Sequence, residues 1–124
     1  MNIFRIVILL IGMIPLFLGV TGIIFGAADH AGGEAVSAAL DSQYRYLAGV
    51  YVAVGVMIFW SASDIRGRAN FLRFAMLGWF IGGLARVVSW LTVGEPASWQ
   101  VSGMIIELAV PILLLLWQRR VLRR

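Results

Sequence analysis

The fold is decided by the stretch IVILLIGMIPLFLGVTGIIFGAA, residues 6–28, which contains no charged side chain. A helix needs about 20 apolar residues to cross about 30 Å of hydrocarbon. In lipid, a helix satisfies all of its own backbone hydrogen bonds, and the sequence lacks the alternating pattern of a β-barrel. Residues 4–28 are therefore predicted to form a membrane-spanning helix. Arg5 and the small residues near 28 imitate a secretory signal peptide, but the apolar part of a typical signal has only about 7–15 residues. We therefore expect this helix to stay uncleaved.

Three further apolar runs follow, at residues 47–62, 71–93 and 101–117. The first of these reaches spanning length when it is extended back through Tyr46 and Tyr44, which suit the headgroup level. We predict an all-α fold, namely an integral membrane four-helix bundle with antiparallel, up-down helices over residues 4–28, 43–63, 70–93 and 100–119. At this length the chain is expected to form a single transmembrane domain, residues 1–124.

The composition agrees with a membrane protein, because 61% of the residues are hydrophobic and 13% are charged. In soluble domains, about 45–50% of the residues are apolar and about 25% are charged. With no cysteine and a single histidine, His30, the chain has no set of ligands for a disulfide, a thiolate site or a multi-histidine centre. We expect no metal and no cofactor. The net charge of +4 forms no basic stripe, so we do not expect nucleic acid as a partner.

Most of the arginines fall on one side of the predicted membrane, at the two termini and around the middle loop. The two loops at residues 29–42 and 94–100 carry acidic residues and no arginine. By the positive-inside rule, both termini and the middle loop are predicted to be cytoplasmic. The arginines that fall on this side are Arg5, Arg66, Arg68, Arg73, Arg119, Arg120, Arg123 and Arg124.

Two charges interrupt the last two spans. Arg86 lies within GGLARVVSW, residues 82–90, and Glu107 lies within IIELAVP, residues 105–111. Each is roughly 10 Å below the outer end of its predicted helix, at 1.5 Å per residue. An unpaired charge at the membrane centre costs about 2.5–3.5 kcal/mol on insertion scales. We therefore predict an Arg86–Glu107 ion pair inside the bundle.

A second pair is predicted in DSQYRYLAG, residues 41–49, where Asp41 and Arg45 are four residues apart on one helix side. Asp41 or Ser42 is also a candidate N-cap of the second helix. Arg45 is expected to point into the bundle, because Gly49 lies one step further on the same side. We predict one polar cluster in the outer half of the bundle, formed by Asp41, Arg45, Tyr51, Arg86, Ser89 and Glu107.

Small residues mark helix interfaces in membranes, since they let backbones approach closely. Small residues spaced three and four apart predict such a seam on each helix. The seam residues are Gly12, Pro15, Gly19, Gly22 and Gly26 on the first helix, Gly49 and Ala53 with the neighbouring Ala48 and Gly55 on the second, Gly78 and Gly82 leading to Arg86 on the third, and Gly103 leading to Glu107 and Pro111 on the fourth.

Three blocks of the sequence carry a family resemblance: residues 41–51, 82–96 and 105–120. They resemble a bacterial family of small membrane proteins, domain of unknown function 4345, itself similar to the DoxX-like four-helix membrane proteins. The resemblance implies a multi-pass protein of the bacterial cytoplasmic (inner) membrane and supplies no activity. The residues that carry it are Asp41, Arg45, Tyr46, Gly49, Gly83, Arg86, Ser89, Gly94, Pro96, Glu107 and Pro111.

The sequence contains no recognisable set of catalytic residues. Ser89 has no histidine or lysine to act as its base, and neither a Glu-x-x-His repeat nor a phosphate-binding loop is present. A membrane enzyme is therefore disfavoured. We predict a binding or transport-type module with an outward-facing polar site, Arg45, Arg86 and Glu107, for a membrane lipid or an anionic or amphipathic small molecule. The alternative is a structural subunit of a homo-oligomer or larger membrane complex, with the Arg86–Glu107 pair as a packing staple.

Overall fold

The computed structural model describes residues 2–124, and this part of the chain is helical throughout apart from short connections. A short 3-10 turn, Ala27–His30, follows the first long helix. Each long helix is long and apolar enough to cross a membrane, which confirms the predicted spans. The long helices are α1 (Asn2–Phe25), α2 (Ala38–Ser63), α3 (Ala69–Val93) and α4 (Ser98–Arg123).

Helix α2 begins five residues before its predicted start. Ser37 is the N-cap, and its hydroxyl accepts a 3.1 Å hydrogen bond from the Leu40 amide. The prediction that Asp41 or Ser42 caps this helix is therefore wrong, since Asp41 already lies in the first turn. A serine hydroxyl satisfies one of the free amides at a helix start, and the alanines and leucine after Ser37 are good helix formers.

The glycine seam predicted on α1 is confirmed where it meets α2. A Cβ atom added at Gly19 would lie 2.6 Å from Val52 Cγ2 and 2.8 Å from the Ala48 carbonyl oxygen. One added at Gly22 would lie 2.8 Å from Ala48 Cβ. From the other side, Gly55 of α2 makes room for a leucine of α1. Only glycine allows this separation, so α1 and α2 form a tightly packed pair.

The seam predicted on α3 is wrong. Gly78 and Gly82 face open space, whereas a Cβ at Gly83 would meet Leu108 of α4 at 2.9 Å. With 3.6 residues per turn, a stripe of residues four apart drifts by about 40° at each step. The buried face of α3 instead alternates steps of four and three. Gly49 and Gly103 also face open space. The buried residues of this α3 face are Leu72, Met76, Trp79 and Gly83.

The most deeply buried side chains lie at one end of the molecule, which we call the arginine-rich end. It comprises the starts of α1 and α3 and the ends of α2 and α4. The Phe4 ring packs edge-on against Trp117, with ring centroids 5.1 Å apart, and Arg66 donates a 2.9 Å hydrogen bond to the Leu122 carbonyl. The buried apolar residues here are Phe4, Ile8, Ile58, Ala62, Ile65, Leu72, Ala75, Met76, Leu114 and Val121.

Gln118 is a buried polar residue within this core, at 1% exposure. Its amide nitrogen donates to the Ala69 carbonyl at 3.1 Å, and its amide oxygen accepts from Arg73 Nε at 3.3 Å. The amide is therefore used as both donor and acceptor, which offsets the cost of burying it. Gln118 thus fixes the end of α4 to the start of α3.

The opposite end, which we call the acidic end, comprises the 3-10 turn, the ends of α1 and α3 and the starts of α2 and α4. There the His30 ring lies between two aromatic rings, with centroids 4.8 Å from Trp99 and 5.8 Å from Tyr44. These contacts bring the turn, α2 and α4 together.

Candidate functional site

The predicted Arg86–Glu107 ion pair is confirmed. Arg86 Nε lies 2.8 Å from Glu107 Oε2, and Arg86 Nη2 lies 3.3 Å from Glu107 Oε1. Two parallel hydrogen bonds of this kind fix the orientation of both side chains as well as their separation. The two members are not equally accessible, since the Glu107 side chain is 10% exposed and the Arg86 side chain is 37% exposed.

The local packing explains why the carboxylate lies inside. Glu107 continues the buried face of α4, which then runs through Pro111, Leu114 and Gln118. Opposite it, α3 presents Gly83, whose added Cβ would lie 3.2 Å from Glu107 Cβ. The missing side chain leaves room for the glutamate. Arg86, three residues further along α3, then reaches the carboxylate from the same helix.

The pair leaves unused hydrogen-bond donors on Arg86, the more exposed of the two partners. A guanidinium has five N–H donors. Within residues 2–124, Arg86 uses two of them, both on Glu107. The pair therefore offers further donors but no net positive charge, because the carboxylate cancels the charge of the guanidinium.

Asp41 and Arg45 form the second predicted pair, with Arg45 Nε 2.7 Å from Asp41 Oδ2. Arg45 Nη1 also donates to the carbonyls of Ile23 at 2.5 Å and Ile24 at 3.4 Å, and Asp41 Oδ1 accepts the Ala27 amide at 3.0 Å. Carbonyls in the last turn of a helix have no partner within it. The pair thus caps the end of α1. Arg45 is directed to that end, and the expectation that it points into a shared site in the bundle is wrong.

Tyr51 of α2 packs against Trp79 of α3, which lies seven residues before Arg86 on the same face of that helix. Their ring centroids are 6.4 Å apart, and Tyr51 is half-buried. Trp79 is 3% exposed, and its Nε1 is buried without a hydrogen-bond partner among residues 2–124. Ser89 is exposed on α3.

Four of the six predicted site residues therefore form two separate ion pairs, and the other two, Tyr51 and Ser89, belong to neither pair. Across residues 2–124, no side-chain hydrogen bond joins the Asp41–Arg45 pair to the Arg86–Glu107 pair. We use the name outer polar site for the second pair together with Tyr51 and Trp79, two aromatic residues that also pack in the apolar core. Its members are Tyr51, Trp79, Arg86 and Glu107.

Exposure along the inward face of α3 rises towards Arg86. Trp79 and Gly83 are buried, and Arg86, which continues their face, is one-third exposed. Trp79 was not predicted from the sequence, although it lies seven residues before Arg86 and hence on the same helix face. The role of His30 was not predicted either, because it depends on contacts between three elements. Within residues 2–124, no three histidine, aspartate or glutamate side chains come close enough to hold a metal ion.

Comparison with known families identifies a matching family model. A family model described as Domain of unknown function (DUF4345) matches residues 3–118. The matched range spans the four long helices up to the last turns of α4 and includes both ion pairs. Comparison with curated proteins and with solved structures gives no match.

Proposed function

The chain belongs to the DUF4345 family of proteins, and from this premise we propose that it is a membrane-embedded binding module. Its outer polar site binds the headgroup of an amphipathic small molecule or lipid, and a transport-type role would use the same site. The proposal involves no reaction. The chain forms one transmembrane domain over residues 1–124.

The proposed location is the cytoplasmic (inner) membrane of a bacterium. The helices are antiparallel, both termini face the cytoplasm, and the outer polar site lies in the outer half of the membrane. The charge distribution supports this orientation, because eight arginines belong to the arginine-rich end and arginines collect on the cytoplasmic side.

The binding proposal rests on one observation, the exposure and the unused hydrogen-bond donors of the Arg86 guanidinium. Arg86 lies on an inward helix face inside a span, yet its side chain is 37% exposed and three of its donors are unused within residues 2–124. Polar groups without partners are costly in hydrocarbon, so these donors favour a bound acceptor.

The charge of the site narrows the class of ligand. Glu107 neutralises Arg86, so an anion would bring an uncompensated charge into a medium of low dielectric constant. A neutral or zwitterionic headgroup with acceptor oxygens would meet the free donors without that cost. We therefore favour an amphipathic ligand of this kind over an anion.

The test is retention of a ligand during purification. The full chain is extracted in mild detergent and analysed by native mass spectrometry beside the variant Arg86→Met/Glu107→Leu, which replaces the pair with apolar side chains. We expect the unaltered protein to retain an amphipathic molecule and the variant to lose it. Ser89→Ala is the matched control, because Ser89 is an exposed α3 residue one turn from Arg86. Equal retention by the folded double variant would overturn the proposal.

A second candidate, a subunit of a homo-oligomer or larger membrane complex, is favoured by α4. In the most apolar 18-residue segment of α4, only 11% of the residues are buried. The corresponding share is 28% in each of the other three helices. A partner helix along α4 would cover large side chains such as Leu113, which is 66% exposed. Cysteine at Leu113 should then form a cross-link in membranes, and cysteine at Leu10 of α1, 64% exposed, should not.

A further inference from the structure

A groove of about 410 Å³ lies between α3 and α4 at the arginine-rich end, away from the outer polar site. Arg73 and Arg119 line it near the helix ends. Deeper along the two helices, towards the middle of the spans, its lining becomes apolar. The main apolar residues of the lining are Phe74, Leu77, Ile112 and Leu116.

The two arginines are available to a ligand. Arg73 is held in place by Gln118, at 3.3 Å, and by the Asn70 side-chain oxygen, at 2.9 Å. Arg119 is exposed and follows the buried Gln118. Within residues 2–124, neither arginine has a carboxylate at ion-pair distance. The groove therefore carries two positive charges without a counter-ion from that part of the chain.

The depth of these charges matches a membrane surface. Arg73 is four residues into α3, and Arg119 is four residues before the end of α4. At 1.5 Å per residue, both lie roughly 6 Å from the ends of their helices. The hydrogen bond between the Gln118 amide and the Ala69 carbonyl keeps these two levels aligned.

We propose that this groove is a binding site for an anionic phospholipid. The lipid phosphate lies between Arg73 and Arg119, and an acyl chain lies along Leu77, Ile112 and Leu116. Guanidinium groups bind phosphate oxygens with directed, charge-assisted hydrogen bonds. Basic pockets between membrane helices on the cytoplasmic side favour anionic headgroups. The apolar lining selects a lipid over free phosphate. The proposal does not depend on the outer polar site.

The experiment uses the full chain in nanodiscs that contain phosphatidylglycerol and phosphatidylcholine in equal amounts. Native mass spectrometry measures the ratio of the two lipids that stay bound. The main variant is Arg119→Gln, because the Arg119 side chain makes no hydrogen bond within residues 2–124 whose loss would affect folding. Arg120→Gln removes the same charge one residue away, and Arg120 does not line the groove.

We expect the unaltered protein to retain phosphatidylglycerol in preference to phosphatidylcholine. Arg119→Gln should lower this preference about fivefold, from the contribution of one basic residue at an anionic membrane surface, and Arg120→Gln should leave it unchanged. Equal losses in the two variants, or no loss in either, would overturn the proposal.

A second variant tests the acyl-chain part of the groove without removing a charge. Leu116→Trp fills the groove and should release bound phosphatidylglycerol, whereas Leu113→Trp, on the same helix outside the lining, should not. Excess inorganic phosphate should fail to displace the lipid. Displacement by phosphate, or retention by the filled variant, would show that the groove does not hold a lipid.

Discussion

Arg86 donates to both carboxylate oxygens of Glu107, at 2.8 Å and 3.3 Å, and so joins α3 to α4 above the contact at Gly83. The pair lies outside the deeply buried apolar core, which belongs to the arginine-rich end. At its level the Arg86 side chain is one-third exposed, whereas Glu107 is largely buried. The pair therefore provides the main side-chain hydrogen bonds between these two helices towards the acidic end of the described chain.

Removing one charge of this pair should destabilise the protein. In Glu107→Gln, the guanidinium of Arg86 remains inside a span without its counter-ion. We expect a loss of about 3 kcal/mol in the free energy of unfolding, the order of the cost of an unpaired charge in a membrane helix. Reversible unfolding in mixed micelles measures this difference.

Two double variants serve as controls for this prediction. Exchanging the charges, Arg86→Glu/Glu107→Arg, should restore part of the stability, because the attraction is kept in a changed geometry. Arg86→Met/Glu107→Leu should be nearly as stable as the unaltered protein, since apolar residues often replace a buried ion pair without loss. A Glu107→Gln variant of unchanged stability would contradict the prediction.

The spans could be predicted from the sequence because the requirement behind them is simple. Length and apolar composition decide whether a segment can cross a membrane, and neither depends on contacts elsewhere in the chain. The Arg86–Glu107 pair was predictable for a related reason. Two opposite charges at matching depths in adjacent spans gain strongly from pairing, whatever the details of packing.

Rotation of the helices was harder to predict. Gly78 and Gly82 form a regular stripe, but α4 packs on Gly83. Which face of α3 is buried depends on the shapes of several side chains on α4, which spacing on α3 alone does not reveal. The burial of Gln118 was not predicted either. Its position eleven residues after Glu107, on the same face, was the signal for burial.

The role of Arg45 was unpredictable for another reason. Its hydrogen bonds go to backbone carbonyls of α1, which have no signature in the sequence. Spacing identified Asp41 as its partner but did not identify the helix end that both residues cap.

The packing of α1 on α2 should depend sharply on Gly19. In Gly19→Ala, the added methyl group would lie 2.8 Å from the backbone oxygen of Ala48, which cannot move without shifting α2. We expect a loss of about 1–3 kcal/mol in unfolding free energy, typical of overpacking. Thermal unfolding in detergent, followed by circular dichroism, measures it.

Gly78→Ala is the matched control for Gly19→Ala. The same methyl group added at Gly78 meets open space, and alanine is favoured over glycine in a helix by up to about 1 kcal/mol. This variant should be as stable as the unaltered protein or slightly more stable. Equal changes in stability from the two alanines would contradict tight packing at Gly19.

Asp41→Ala should loosen the end of α1. The substitution removes the acceptor of the Ala27 amide and the partner that orients Arg45. We expect faster hydrogen exchange at residues 23–30 and a loss of about 1 kcal/mol, the usual cost of removing a helix cap. Glu34→Ala removes the same charge from an exposed connecting position and should leave exchange at the α1 end unchanged. If exchange rises equally in both variants, the cap does not hold this end.

The proposed orientation predicts which cysteines react from outside the cell. Ala35, Glu95 and Arg123 are exposed positions in the two acidic loops and near the C-terminus. Cysteines at the first two should react with a membrane-impermeant maleimide on intact cells, whereas one at position 123 should react only after permeabilisation. Labelling at position 123 from outside would reverse the orientation given by the arginines, and labelling at only one of the two loops would contradict four spans.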